Sequence, residues 1–207
     1  MHPQTPVFKF AALLALALWF LQPSATSIRA ADKQAPKAKA VELQLDNESA
    51  LVLETNRNGM PAKTKIIPTA SYEAYLVAPI VDGLKKRKDL SWQEAAWASV
   101  EDESAHGIEI QFSQPQHGGR FQATWAYDSS GADTTSWWVS RDYVIQVKND
   151  AGDEWKTVAD VKSNQSVISS HPLPEKPFRF LRIYQLTGGG HPSRPNIMWI
   201  GQIELVD

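Results

Sequence analysis

The feature that most constrains the fold is a series of short apolar–polar alternations, each bounded by turn-forming residues. The clearest lie at residues 107–112 (GIEIQF), 120–126 (RFQATWA), 143–148 (YVIQVK), 155–161 (WKTVADV), 178–185 (FRFLRIYQ) and 197–206. A period of two puts alternate side chains on opposite faces of a strand. Because no long helical period interrupts the series, the sequence predicts an all-β fold, namely an antiparallel sandwich or barrel.

The alternation is less regular in residues 41–90, which precede this series. Alternation at residues 41–45 and 51–53 predicts two further strands, and residues 56–90 are expected to form loops with short strands. Ser91 and Glu94 have the spacing of a capping box, in which each side chain satisfies a free backbone donor of the other. A helix of one or two turns is therefore predicted after Ser91.

Two details concern the faces of the sheet. In the hairpin over residues 143–161, Gly152 and Asp153 predict the turn, and Trp155 is expected to close the sheet over its apolar face. Leu181 and Ile183 flank Arg182, whose long stem is expected to cover one face while its charge stays in water.

The amino terminus has the layout of a secretory signal peptide over residues 1–30. Lys9 precedes the apolar run 10–21 (FAALLALALWFL), which is followed by small and polar residues. This run is shorter than the roughly 17 to 25 residues of a membrane-spanning helix, so cleavage near Ile28 or Ala31 is expected. An uncleaved anchor is the alternative. Residues 31–40 (ADKQAPKAKA) predict a flexible leader.

Composition excludes several classes of function. The chain has no cysteine, which rules out disulfides, thiolate metal sites and a cysteine nucleophile. Its formal net charge of −2, with both signs interspersed, gives no footprint for nucleic acid. No later stretch is apolar for long enough to span a bilayer, so the mature chain is expected to lack a membrane span. We expect a secreted, periplasmic or cell-surface protein.

Several phrases resemble the discoidin-like family, also called coagulation factor 5/8 type C domains, within the galactose-binding-like jelly rolls. The phrases are residues 81–83 (VDG) followed by Trp92 and Trp97, then 107–112, 143–147, 155–158 (WKTV), 179–183 (RFLRI) and 199–205 (WIGQIEL). The resemblance covers residues 81–207, which we therefore expect to form the domain. Residues 41–80 are expected to be strands that belong to the sandwich or precede it.

The resemblance implies an eight-stranded jelly roll with ligand loops at one end, in a family that binds carbohydrate, phospholipid head groups or protein partners, usually without catalysis. It also implies a structural calcium site at an Asp-Gly turn and an acidic residue of the last strand. Asp82 matches the turn, whereas Gln202 replaces the usual glutamate and leaves Glu204 as the alternative ligand. No cofactor is otherwise expected, and a simple solvated turn is the alternative to calcium.

A first candidate binding loop spans residues 127–141 (YDSSGADTTSWWVSR). Adjacent strand residues point to opposite faces, so Trp137 and Trp138 are not expected to enter the same core. An exposed tryptophan is a platform for a sugar ring, and Arg141 adds hydrogen-bond donors. The alternative is that one tryptophan packs in the core and the other covers a sheet edge.

A second candidate loop spans residues 187–196 (TGGGHPSRPN). Its glycines permit a close backbone approach, and His191, Arg194 and Asn196 supply polar groups. No helix start or P-loop spacing accompanies the glycines, which excludes a nucleotide site. The alternative is a flexible connection to the last strand.

The sequence carries no catalytic motif. There is no Gly-x-Ser-x-Gly elbow, and Ser166, Ser169 and Ser170 beside His171 are interpreted as a polar turn. We therefore expect a noncatalytic module for carbohydrate or glycoconjugate, not an enzyme. The alternative is a structural or scaffold protein of the cell envelope or of a secreted complex, with a protein as partner.

Overall fold

Strands dominate the computed structural model, which describes residues 41–84, 90–128 and 136–207. The predicted signal peptide (1–30) and leader (31–40) lie outside these residues. The strands are β1 Leu51–Val52, β2 Lys65–Pro68, β3 Trp97–Ala98, β4 His106–Gln116, β5 Arg120–Asp128, β6 Ser136–Trp138, β7 Tyr143–Lys148, β8 Lys156–Val161, β9 Ile168–Pro172, β10 Phe178–Gln185 and β11 Trp199–Val206. A 3-10 helix spans Ala78–Val81 and helix α1 spans Trp92–Ala95. No helix among the described residues is long and apolar enough to cross a membrane.

The strands form two antiparallel sheets, which confirms the all-β prediction. The larger sheet has the order β1-β2-β4-β10-β7-β8, and the smaller has the order β3-β11-β5-β6, with β9 also paired to β5. Sequence neighbours are often not sheet neighbours, as in a jelly roll. The described residues contain eleven strands, where the family resemblance implies eight; β1, β3 and β6 are only two or three residues long.

The main core fills the space between the two sheets. Trp97 and Trp125 of the smaller sheet and Tyr143 of the larger sheet are fully buried there. The indole Nε1 of Trp125 donates to Ser169 Oγ at 3.0 Å, which satisfies its polar group. Burying one large apolar side chain contributes about 1.5–3 kcal/mol, so this core suits a fold without disulfides.

Helix α1 begins at the predicted capping box. The Ser91 hydroxyl accepts from the backbone N–H of Glu94 at 3.4 Å, and the Glu94 carboxylate accepts from the backbone N–H of Ser91 at 2.9 Å. The helix ends at Ala95, because the chain turns into β3.

Two segments that the sequence predicts as a loop and a turn are strands. Strand β6 lies within the candidate loop 127–141 and pairs with the end of β5. Strand β9 contains Ser169, Ser170 and His171, which we interpreted as a turn, and pairs with β5 in the register Phe121↔His171. Both segments are extended because β5 offers them backbone hydrogen bonds, which composition does not reveal.

The prediction of a strand at residues 41–45 was also wrong. Within this segment only Leu45 pairs, through an isolated bridge to Thr69. Leu51 and Val52 do form β1, which pairs with β2, and β2 in turn pairs with β4. Residues of both β1 and β2 therefore lie in the larger sheet.

The outer face of the larger sheet differs from expectation at Arg182. Its neighbours Leu181 and Ile183 point into the main core, as predicted, but Arg182 is only 4% exposed. Its guanidinium carbon lies 4.3 Å from the ring centroid of Trp155. Trp155 thus covers a charged residue on the outer face instead of closing the apolar face.

Candidate functional site

Two loops are joined by backbone hydrogen bonds at one end of the sandwich. The backbone N–H groups of Arg141 and Asp142, just after β6, donate to Gly189 O at 2.7 and 2.9 Å. The loop between β10 and β11 contains Gly189, which in turn donates to Leu186 O. We call this end, where the two predicted candidate loops meet, the loop end.

The adjacent residues Trp137 and Trp138 face opposite sides of the smaller sheet. Trp137 packs against the main core, whereas Trp138 lies on the outer face in a second cluster. Both side chains are partly buried. Trp138 is thus the tryptophan of this pair that belongs to the surface of the loop end.

The ring of His191 packs against that of Trp138 in a tilted arrangement, with ring centroids 4.7 Å apart and an angle of 51° between the ring planes. Its Nδ1 lies 3.2 Å from the backbone N of Ser193, so Nδ1 accepts this hydrogen bond and the neutral ring carries its proton on Nε2. Burial lowers the pKa of His191, and the nearby charge of Arg141 lowers it further. His191 is therefore neutral at neutral pH and presents an N–H donor.

Arg194 is held at the loop end by Glu101. Its Nη2 lies 2.5 Å from Glu101 Oε2 and its Nε lies 3.2 Å from Oε1, a two-pronged ion pair. This hydrogen bond lowers the pKa of the Glu101 carboxyl. The guanidinium carbon also lies 5.4 Å from the ring of Tyr72 and 5.9 Å from that of Trp199. Arg194 therefore has a fixed orientation over aromatic rings.

An aromatic cluster supports Trp138 from below, and sequence reasoning did not find it. The ring centroid of Trp199 lies 5.9 Å from Trp138, 4.9 Å from Trp92 and 5.3 Å from Tyr75. Tyr72 packs against the same cluster. Position 199 could have been assigned from the alternation of β11, because Ile200 faces the core. Nothing in the sequence indicates that helix α1 and residues 72–75 lie over this face.

The remaining two candidate residues have different surroundings. Asn196 accepts a hydrogen bond from the backbone N–H of Gly188 at 3.0 Å through Oδ1, so it stabilises the loop. Arg141 is exposed, and its charge acts on His191. The structure thus brings five of the six predicted residues to one end, whereas the Trp137 side chain faces the core. A ligand-binding role for all six stays a prediction.

The residues predicted to hold calcium make hydrogen bonds within the protein. Asp82 Oδ1 accepts from the backbone N–H of Leu84 at 2.9 Å, and Glu204 accepts from the side chain of Gln122. Gln202 is fully buried, and neither polar atom of its amide has a partner among the described residues. Among all the residues that the structure describes, no group of three or more His, Cys, Asp or Glu side chains could hold a metal ion.

These residues do not fit a calcium site well. Calcium takes six to eight oxygen ligands, whereas the carboxylates of Asp82 and Glu204 already accept hydrogen bonds within the protein. The sequence prediction of calcium at Asp82 and Glu204 stays untested, and because of this poor fit we expect no calcium there.

The sequence matches no protein-family model and shows no significant similarity to a curated protein. Solved structures do resemble this chain. Chitosan-binding module 1 of a chitosanase/glucanase from Paenibacillus sp. IK-5 is 15% identical, with 74% of this chain and 99% of that chain covered and a TM-score of 0.53. The Streptococcus pneumoniae fucose binding module SpX-3 is also 15% identical, with coverage of 73% and 98% and a TM-score of 0.53.

A mutant of the lectin binding domain of Lectinolysin, complexed with Lewis b, is a third similar structure. It is 12% identical, with 74% of this chain and 97% of that chain covered and a TM-score of 0.52. Each of these proteins is spanned almost completely. Together with the two antiparallel sheets, they confirm that this chain has the discoidin-like, galactose-binding-like jelly-roll fold.

Proposed function

We propose that this protein is an exported, noncatalytic module that binds carbohydrate or glycoconjugate through the loop end. The observation that carries the proposal is the partly buried Trp138, which packs against His191 and against Trp199, the ring that also lies under the fixed guanidinium of Arg194. Trp138 adjoins Trp199 in the supporting aromatic cluster, and this rigid packing lowers the cost of ordering the surface on binding.

The chemistry of these groups suits a sugar ring. An indole ring packs against the apolar face of a pyranose, whose hydroxyls need directional polar partners at the edges. The Nε2–H of His191 and the exposed guanidinium of Arg141 supply donors at the rim. The carboxylate of Glu101 orients Arg194. The ion pair is still partly open to solvent, because the side chains of Arg194 and Glu101 are 31% and 36% exposed.

The similar structures support this proposal through the ligands in their names. One is a chitosan-binding module, one a fucose binding module, and one a lectin binding domain complexed with Lewis b. These ligands differ from one another. The fold alone therefore supports the glycan class and not one particular sugar.

The absence of a catalytic role is part of the proposal. Ser169 and His171, which lie close in sequence, have structural partners: Trp125 Nε1 donates to Ser169 Oγ, and Tyr143 Oη lies 2.9 Å from His171 Nε2. Burial also lowers the pKa of His171. Export is supported by the signal-peptide pattern of residues 1–30.

A glycan array tests the proposed function. The purified protein is expected to bind at least one glycan in a panel that includes chitosan oligosaccharides, fucosides and Lewis b, and to leave the bound glycan uncleaved. Binding to no glycan, together with co-purification of a protein partner, would instead support the scaffold alternative. Release of a cleaved sugar would contradict the noncatalytic assignment.

A further inference from the structure

A cleft of about 390 Å³ lies over the outer face of the larger sheet and takes no part in the loop end. The residues that line it are Val41, Glu42, Leu43, Glu109, Trp155 and Arg182. Glu109 and Arg182 point outward, because their neighbours Ile108, Ile110, Leu181 and Ile183 lie in the main core. The floor of the cleft is therefore polar.

Arg182 presents an unused donor to this cleft. Its Nε and Nη2 donate to Gln146 Oε1 at 2.8 and 2.6 Å, whereas Nη1 has no hydrogen bond among the described residues. Arg182 lines the cleft. Arg182 makes no ion pair with any described carboxylate, although the residue is 4% exposed. A nearly buried guanidinium with a free donor is a strong anchor for a neutral or anionic oxygen.

Glu109 supplies an acceptor to the same cleft. It lies directly opposite Arg182 in the β4–β10 register and is 9% exposed. Its Oε1 accepts a hydrogen bond from Gln111 Nε2 at 2.9 Å, and its Oε2 has no hydrogen-bond partner among the residues that the structure describes. Glu109 and Arg182 both line the cleft, so it offers a donor and an acceptor to the hydroxyls of a bound sugar.

Trp155 provides the apolar wall. Its ring is partly buried and is held by two cations, with Arg182 Cζ at 4.3 Å and Lys148 Nζ at 4.6 Å from its centroid. An indole beside a paired donor and acceptor suits a pyranose, which has an apolar face and hydroxyls that both donate and accept. Polyanions such as nucleic acid or phospholipid head groups fit less well, because Glu42 and Glu109 also line the cleft.

We propose that this cleft is a second glycan-binding site on the sheet face, separate from the loop end. The cleft would bind the same class of ligand as the loop end, but the two sites have no residue in common. A chain with two sites on different surfaces would bind two segments of one polysaccharide, or two glycans, and gain avidity on a polymeric surface.

The test compares variants on the same glycan array. Glu109→Gln removes the carboxylate with little change in shape, and Trp155→Ala removes the wall. Glu175→Gln is the matched control, because Glu175 is an exposed carboxylate that does not line the cleft. Trp138→Ala disables the loop end. Thermal melts of every variant show whether it is folded.

We expect Trp138→Ala to retain binding to at least one glycan, and the added Glu109→Gln to weaken that binding by about tenfold or more. Glu175→Gln should leave that binding unchanged. If Trp138→Ala alone abolishes all binding while Glu109→Gln and Trp155→Ala have no effect, the cleft proposal is wrong and the loop end stands. If Trp138→Ala has no effect while Glu109→Gln abolishes binding, the loop-end proposal is wrong and the cleft stands. Absence of any bound glycan overturns both.

Discussion

The rings of Trp138 and His191 pack against each other with their centroids 4.7 Å apart, which joins strand β6 to the loop that precedes β11. Beneath them, Trp138 adjoins Trp199, the first residue of β11. The loop end is thus one packed surface built from distant parts of the chain. A substitution that moves one loop is therefore expected to disturb the other.

Gly189 gives the first prediction. A Cβ atom at this position would lie 2.4 Å from Asp142 O and 2.9 Å from Leu186 O, so Gly189→Ala must shift the backbone that joins the two loops. Such overpacking costs about 1–3 kcal/mol, which should appear as a lower free energy of unfolding in urea. Gly152→Ala is the control, because a Cβ there meets nothing within 4 Å. Equal stability of the two variants would contradict the packing described for Gly189.

The Glu101–Arg194 ion pair should contribute more to binding than to stability. Both side chains are about one third exposed, and such pairs contribute roughly 0–1 kcal/mol to stability. Glu101→Gln is therefore expected to change the free energy of unfolding by less than about 1 kcal/mol while it weakens glycan binding several-fold, because Arg194 loses its orientation. Glu103→Gln, which alters an exposed neighbouring carboxylate, should do neither. A loss of binding in both variants would point to general electrostatics.

Stability should fall as the pH falls from about 7 toward 5. Burial lowers the pKa of His171 and of His191 below the ordinary value of 6.5. The unfolded chain therefore takes up protons at a higher pH than the folded chain, so the free energy of unfolding decreases as the pH drops below 6.5 toward the lowered values. Urea unfolding at pH 7.5 and 5.0 measures this difference.

His171→Gln removes one of the two titrating groups and keeps a polar side chain near Tyr143. Its stability should depend less on pH over this window than that of the wild type. An unchanged slope would show that His171 does not carry the effect. The carboxylates with lowered pKa, such as Glu101, titrate below this window.

Removal of calcium should leave the melting temperature unchanged. Asp82 and Glu204 are engaged by Leu84 and Gln122, and Gln202 contributes an amide where the family has a carboxylate. A ligand that binds only the folded state raises the melting temperature, so thermal melts with calcium and with EDTA detect such a site directly. A higher melting temperature in calcium would establish the site and revise the fit described for these residues.

Part of the fold could be predicted because alternation reports which side chains face a core. Strands β7 and β10 occupy the predicted residues, and the box of Ser91 and Glu94 marks the start of α1. Local hydrogen bonding and period-two burial fix these elements, and both are properties of neighbouring residues.

Other elements depend on partners that are distant in sequence. Strands β6 and β9 show no period-two alternation, and they extend because both pair with β5. The aromatic cluster under Trp138 needs Trp92 and Tyr72, whose positions are set by the path of the chain across the smaller sheet. The burial of Arg182 likewise depends on Trp155, which reaches it from beyond a hairpin turn. No local pattern encodes such contacts.

Substitutions of Trp137 and Trp138 show whether glycans bind at the loop end, because the two residues are adjacent and face opposite sides of one sheet. The measurement is the affinity of Trp137→Ala and Trp138→Ala for the glycan that gives the strongest signal on the array, together with their melting temperatures. We expect Trp138→Ala to weaken binding by about tenfold or more. Trp137→Ala should lower the melting temperature but keep the affinity. Wild-type affinity in a folded Trp138→Ala variant would contradict a glycan site at the loop end.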